Sequence, residues 1–137
     1  MVPEQRIQVP PNCELTLGMT CVDKSEPGRT LWRMRADERF ANPAGIIQGG
    51  FIGAMADSAM GAAAITFAQA AGRKVTASNV EMKTSFLAAA RVGSVLDCTA
   101  TVISGGARVA FAEAEVVDDD GRTIARASST YLFTERE

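Results

Sequence analysis

The 137 residues carry 14 Lys and Arg against 16 Asp and Glu, for a formal net charge of -2, with 47% hydrophobic and 22% charged residues. That is the size and balance of one ordinary globular domain with a single core, and it gives no electrostatic footprint for nucleic acid. Histidine is absent, which excludes Ser-His-Asp and Cys-His catalytic sets and removes the commonest metal ligand. Any chemistry near neutral pH must then run on carboxylates, amides and backbone dipoles, and no metal or organic cofactor is expected. Cys13, Cys21 and Cys98 form no CxxC pair. Their odd number leaves at least one thiol free, which fits a reducing, cytoplasmic setting. The opening MVPEQRIQVPPN has no apolar core behind a basic start, so export is not expected.

Residues 1–14 hold Pro3, Pro10 and Pro11 without a hydrophobic period and are expected to form an N-terminal arm, leaving 15–137 as one domain. Residues 15–22 and 29–35 read as two short strands, with Glu26-Pro27-Gly28 as the turn between them. From Phe40 to Gly72 the only charged residue is Asp57. The alanine-rich composition from Gly49 onward predicts a helix over about 49–71. Asn42, Pro43 and Gly45 supply a turn ahead of it, and Gly72-Arg73-Lys74 supplies a stop with favourable dipole charges behind it. Nearly every face of this helix is apolar or small, so protein or lipid must enclose it. Its length would suffice for a membrane span, but Asp57 would then lie near the bilayer centre and strand-like sequence surrounds it. Enclosure by protein, with no membrane, is the expectation.

Four further strands are predicted over 75–87, 95–104, 108–117 and 122–133, with Gly105-Gly106 and Asp118-Asp119-Asp120-Gly121 as hairpin connectors. Along the third of these, Ala110, Ala112 and Ala114 fall on one face and Val109, Phe111, Glu113 and Glu115 on the other. A row of alanines leaves room for a close neighbour. The economical architecture is α+β: one long hydrophobic helix wrapped by a curved antiparallel sheet, the hotdog fold.

Gly49, Gly53, Asp57 and Gly61 are four apart and share one slowly drifting helical stripe. Each glycine sacrifices roughly 0.5–1 kcal/mol relative to alanine, which points to close packing on the sheet or to a ligand that must approach the backbone. Asp57 is the more informative residue. An ionised carboxylate in an uncharged stretch loses hydration unless it is paired, hydrated or needed. An arginine or lysine partner from a strand is the structural alternative. Gln48-Gly49-Gly50 at the helix N-terminus offers free N–H groups and the positive end of the dipole, the makings of an oxyanion hole. Eight residues at about 1.5 Å rise separate Gly49 from Asp57 by about 12 Å. One reacting carbon reaches both only if they come from different subunits of a symmetric dimer.

Read together, Asn42-Pro-Ala-Gly-Ile-Ile-Gln-Gly-Gly-Phe-Ile-Gly-Ala-Met-Ala-Asp57 and the strand Asn79-Val-Glu-Met-Lys-Thr-Ser-Phe-Leu resemble the active-site region of hotdog-fold acyl-CoA thioesterases, the phenylacetyl-CoA and 4-hydroxybenzoyl-CoA thioesterase-like group. The likeness runs from about Leu15 onward. It implies an acyl-CoA substrate, with the Gly49 amide polarising the thioester carbonyl and Asp57 of the neighbouring subunit acting as general base or nucleophile. It implies that Asn42 positions groups beside Gly49, that Gly50 belongs to the substrate site, and that Asn79 takes the place of a serine or threonine that orients water. Arg91 and Arg108 fall in or beside loops where relatives place basic residues, which implies contacts to coenzyme A. A homodimer or homotetramer is implied. Two departures stand out. Gln48 replaces the histidine that many members carry before the glycine pair, and 87–91 reads Leu-Ala-Ala-Ala-Arg in place of a proline-containing segment. The competing reading is a hotdog protein that binds an acyl thioester or another apolar ligand without turning it over. A hotdog dehydratase is disfavoured because those relatives rely on a histidine.

Overall fold

The computed structural model describes residues 12–136, so residues 1–11 of the expected arm lie outside the described residues. The first element is a short helix, α1 (Cys13–Leu17), followed by β1 (Met19–Asp23). This corrects the strand expected over 15–22, whose first half is helical. The reason is local: the Asn12 side chain accepts from the Leu15 amide, and Gly18 at φ 72° closes the helix with a left-handed cap. Caps at both ends of a single turn outweigh weak strand propensity.

After β1 come β2 (Arg29–Arg35), a 3-10 turn (Glu38–Phe40), α2 (Gly49–Ala70), β3 (Val75–Phe86), β4 (Val95–Gly105), β5 (Val109–Val117) and β6 (Thr123–Glu135). The strands form one sheet in the order β1-β2-β4-β5-β6-β3, with every neighbouring pair antiparallel. This is the helix-in-a-sheet arrangement of the hotdog fold.

The helix is long and apolar enough to cross a membrane, yet its apolar face is taken up by the sheet. Ile52, Met55, Ala56, Ala59, Met60, Ala63, Ala64 and Ala68 are buried. Opposite them lies the alanine row of β5, with Ala110 and Ala112 fully buried and Ala114 at 4% exposure. Small residues on both surfaces let the two backbones come close, and Met34, Met55 and Met60 fill the remaining volume. Each of these buried side chains contributes roughly 1.5–3 kcal/mol of transfer free energy. Two hydroxyls fix the helix along its length. Thr30 donates to the Ala59 carbonyl at 2.8 Å, and Thr66 accepts from the Gly28 amide at 3.0 Å.

Two further features position the site. The crossover between β3 and β4 is tied to the segment before α2 by the Ile46–Arg91 bridge and by the Ile47 amide, which donates to the Ala90 carbonyl. Strand β3, twelve residues long, forms one edge of the sheet. Its outer side pairs with no other strand among the described residues, and Val80, Phe86 and the following Leu87 are 56%, 53% and 58% exposed.

Candidate active site

Asp57 sits two turns into α2 on the side that faces the β6–β3 edge. It forms no ion pair among the described residues, so the arginine or lysine partner considered for it is not what the fold provides. Its partners are neutral. The Tyr131 hydroxyl lies 2.7 Å from Asp57 Oδ1 and 2.9 Å from the Asp57 carbonyl oxygen. Asn79 Nδ2 donates to the same Oδ1 at 2.9 Å and to Ser129 Oγ at 3.1 Å. Register explains the meeting, since Asn79 pairs with Tyr131 across β3 and β6 and side chains directly opposite share a face. Burial, and then the hydrogen bond to Asp57, push the Tyr131 phenol above the ordinary tyrosine range, so it stays protonated and donates. Asp57 lines a groove of about 930 Å³ together with Ser58, Gly61, Ala62, Ile65 and Trp32.

The helix N-terminus opens elsewhere. Gln48 is the N-cap, in extended conformation, and makes no side-chain cap hydrogen bond. Among the described residues nothing accepts from the Gly49 amide, as the first turn of a helix dictates. Gln48 and Gly50 line a cavity of about 640 Å³ with Leu17, Phe51 and Ala54. Gly49 lines another, of about 530 Å³, with Ile46, Phe86 and Leu87. Within one chain, therefore, Asp57 and the terminal amides face different cavities.

The stripe of glycines divides on inspection. A Cβ on Gly49 would stand 2.8 Å from the Phe86 ring, a genuine close approach, whereas one on Gly61 would make ordinary contact with Tyr131 at 3.6 Å and one on Gly53 would meet nothing within 4 Å. Of these three, only Gly49 has a neighbour that would have to move to admit a side chain, and that neighbour is the exposed Phe86 ring. Asn42 spends its carboxamide oxygen on the loop, accepting from the Ala44 and Ile46 amides at 2.9 and 3.1 Å. That loop, turned by Gly45 at φ 79°, delivers the chain to Gly49. Arg91 is exposed on the crossover bridged to Ile46, at the Gly49 end of the helix. Arg108 is exposed at the β4–β5 hairpin, where its carbonyl accepts from the Phe133 amide. The two arginines thus belong to different parts of one chain. Cys98 is buried, and burial pushes its thiol up to about 12, so it offers no thiolate.

Tyr131 and Ser129 are the site residues that the sequence reading missed. Tyr131 is the only tyrosine, and strict alternation puts it on the inner face with Ala125, Ala127 and Ser129. That signal was present, but it does not say which helical residue stands opposite.

With this geometry established, the comparisons with known proteins are informative. The thioesterase superfamily model matches residues 44–125. The PaaI protein of the Escherichia coli phenylacetic acid degradation operon superimposes with a TM-score of 0.81 at 20% identity, over 89% of this chain and 83% of that one. AziG of S. sahachiroi gives 0.80 at 28% identity, over 89% and 95%. The Streptococcus mutans protein smu.793, solved with acetyl-CoA bound, gives 0.79 at 18% identity, over 97% of both chains. No match is found among curated proteins. The matched stretch runs from the loop before Gly49 through Asp57 and Asn79 to β6 and covers more than half of the residues: the chain belongs to the thioesterase superfamily and has its hotdog fold.

Proposed function

We propose that this protein hydrolyses acyl-CoA thioesters as a homodimer or a dimer of such dimers, each site combining Asp57 of one subunit with the Gly49 amide of the other. The observation that carries the reading is the division of the site: an open carboxylate and an open amide, about 12 Å apart along one straight helix, facing different cavities.

Strand β3 supplies a way to reunite them. Asn79, at one point of the strand, holds Asp57, and Phe86, seven residues on, lies against Gly49. An unpaired edge of this length, with exposed apolar residues, invites a second strand. Antiparallel pairing of two copies about a twofold axis near residues 82 and 83 sets Asn79 opposite the partner's Phe86, and hence Asp57 beside the partner's Gly49.

In that site the thioester oxygen takes the Gly49 N–H and the positive end of α2 as negative charge develops on it. Asp57 either draws a proton from water as the water attacks the carbonyl carbon, the C–S bond breaking to release the free acid and the coenzyme A thiol, or attacks that carbon itself, expelling the thiolate and leaving a mixed anhydride that water then cleaves to free acid and regenerated carboxylate. Arg91, on the same subunit as the amide, is placed to meet the phosphates of the nucleotide. A solved structural neighbour from Streptococcus pneumoniae that holds coenzyme A, and the acetyl-CoA complex above, support this ligand class. Gln48 contributes hydrogen bonds without a titrating proton. Three free cysteines fit a reducing, cytoplasmic setting.

Thiol release from acetyl-, hexanoyl-, benzoyl- and phenylacetyl-CoA tests the proposal. Asp57→Asn is expected to lower turnover of the best substrate by about 10²–10⁴-fold while the protein stays folded and assembled. Full activity of this variant would end the assignment. Tight binding without turnover by the wild type would favour the non-catalytic reading instead.

A further inference from the structure

The structure assigns Tyr131 as a positioning residue: together with Asn79 it occupies Oδ1 of Asp57, so that Oδ2 alone is presented to water in the groove. The assignment rests on the thioesterase reading for its consequence, but its geometry stands by itself. Tyr131 is 2% exposed, and its hydroxyl reaches both the main-chain carbonyl and the carboxylate of the same residue. A donor shared between those two atoms holds the side chain folded toward its own backbone and fixes its rotamer. The single phenolic proton goes to the carboxylate at 2.7 Å, the charged and closer acceptor.

Asn79 adds a second donor on that oxygen. Among the described residues nothing donates to Oδ2, so one oxygen is saturated and the other is left for chemistry. The phenol stays protonated because burial and the adjoining carboxylate both disfavour its anion. It therefore acts as a constant donor and takes no part in proton transfer. The other charged groups along the groove, Glu14, Lys24 and Arg136, have no hydrogen bond to Asp57.

Removing a donor from a carboxylate oxygen changes the hydrogen bonding, and with it the electronic environment, of the carboxyl group. Tyr131→Phe keeps the ring and deletes only the hydroxyl. In the full-length protein labelled with aspartate carboxyl carbon-13, the resonance absent from Asp57→Asn identifies Asp57. Its chemical shift at neutral pH is expected to change in Tyr131→Phe, because the closer donor on Oδ1 is gone. With the best acyl-CoA of the panel, kcat is expected to fall about 10–100-fold with KM within about twofold. The hydroxyl acts through Asp57, so Tyr131→Phe should add no further loss in an Asp57→Asn background.

An unmoved resonance with unchanged kcat, even alongside reduced thermal stability, would overturn the assignment and leave Tyr131 a packing residue. If Tyr131→Phe does not fold, Asn79→Ala withdraws the other donor from an exposed edge position and should move the same resonance. No movement there overturns the clamp. Full activity of Asp57→Asn would remove the thioesterase reading and leave the resonance test intact, so the two failures are distinguishable.

Discussion

Asp57 and Asp118 are both aspartates in the wall of the same small domain, and they are held in opposite ways. Asp118, 6% exposed, closes the β5–β6 turn. Its Oδ1 accepts from the Asp120 and Arg122 amides at 3.0 and 2.8 Å, and its Oδ2 meets Arg122 Nε at 3.1 Å. The Arg122 amide, foremost among these donors, holds its carboxyl below the usual carboxylate range. Every acceptor direction is used inside the turn. Among the described residues Asp57 has no cationic partner, two neutral donors on one oxygen and none on the other, at the side of a groove. A carboxylate whose two oxygens are both engaged shapes the chain, whereas one left half-engaged in a cleft remains able to act on something else.

Substitution should separate the two. Asp57→Asn is expected to abolish thiol release at little cost in stability, while Asp118→Asn should lower the thermal unfolding midpoint with near-normal turnover below it. If both variants lost activity together without unfolding, the contrast would fail. Gly49→Pro comes next in size. Proline is tolerated at the first helical position, Gln48 already has the extended conformation that a following proline requires, and the exposed Phe86 ring, 2.8 Å from where the new Cβ would stand, has to swing aside. The change deletes the amide N–H and should reduce kcat about 10²–10³-fold. Neither variant alone is active, but an equal, reassorted mixture of Asp57→Asn and Gly49→Pro chains should regain roughly a quarter of wild-type activity, because each mixed dimer keeps one intact site. Absence of recovery in proven mixed dimers would refute the split site.

Acid supplies a gentler test. Because the folded-state pKa of Asp118 is depressed, its contribution to stability is fully present above the unfolded carboxylate value, near 4. It is lost as pH falls through the lower folded value. Unfolding midpoints followed downward from pH 5 should therefore drop more steeply in wild type than in Asp118→Asn. The smallest effect is expected from Gln48→His. Turnover at pH 8 should stay within about threefold, with a new inflection near pH 6.5 as the imidazole titrates. A flat profile would show that position 48 lies outside the reacting zone.

Much of the fold was legible from residue patterns. The helix over 49–71, ending one residue earlier in the structure, is marked by alanine-rich sequence between turn-forming ends. The alternation of β5 correctly set Ala110, Ala112 and Ala114 inward. Helix α1 escaped because a five-residue turn is decided by its caps, Asn12 and Gly18, rather than by periodicity. Asp57 and Asn79 were identified from the uncharged context of the first and from family likeness for the second. Their link through Tyr131 was not legible, because it depends on how far the helix is rotated over a strand 74 residues away, and no local pattern encodes that angle.

The alanine row has a last implication. Ala112 stands across from Ser129 on β6, fully buried and outside the lining of the groove, where its small size helps to keep helix and sheet close and so bears on the span that the Tyr131 hydroxyl must bridge. Adding two methyl groups there, as in Ala112→Val, would lift the helix as a rigid rod and detune the carboxylate from beneath. The setting of the Asp57 carboxylate is thus partly a matter of spacer thickness, open to adjustment from a residue outside the groove.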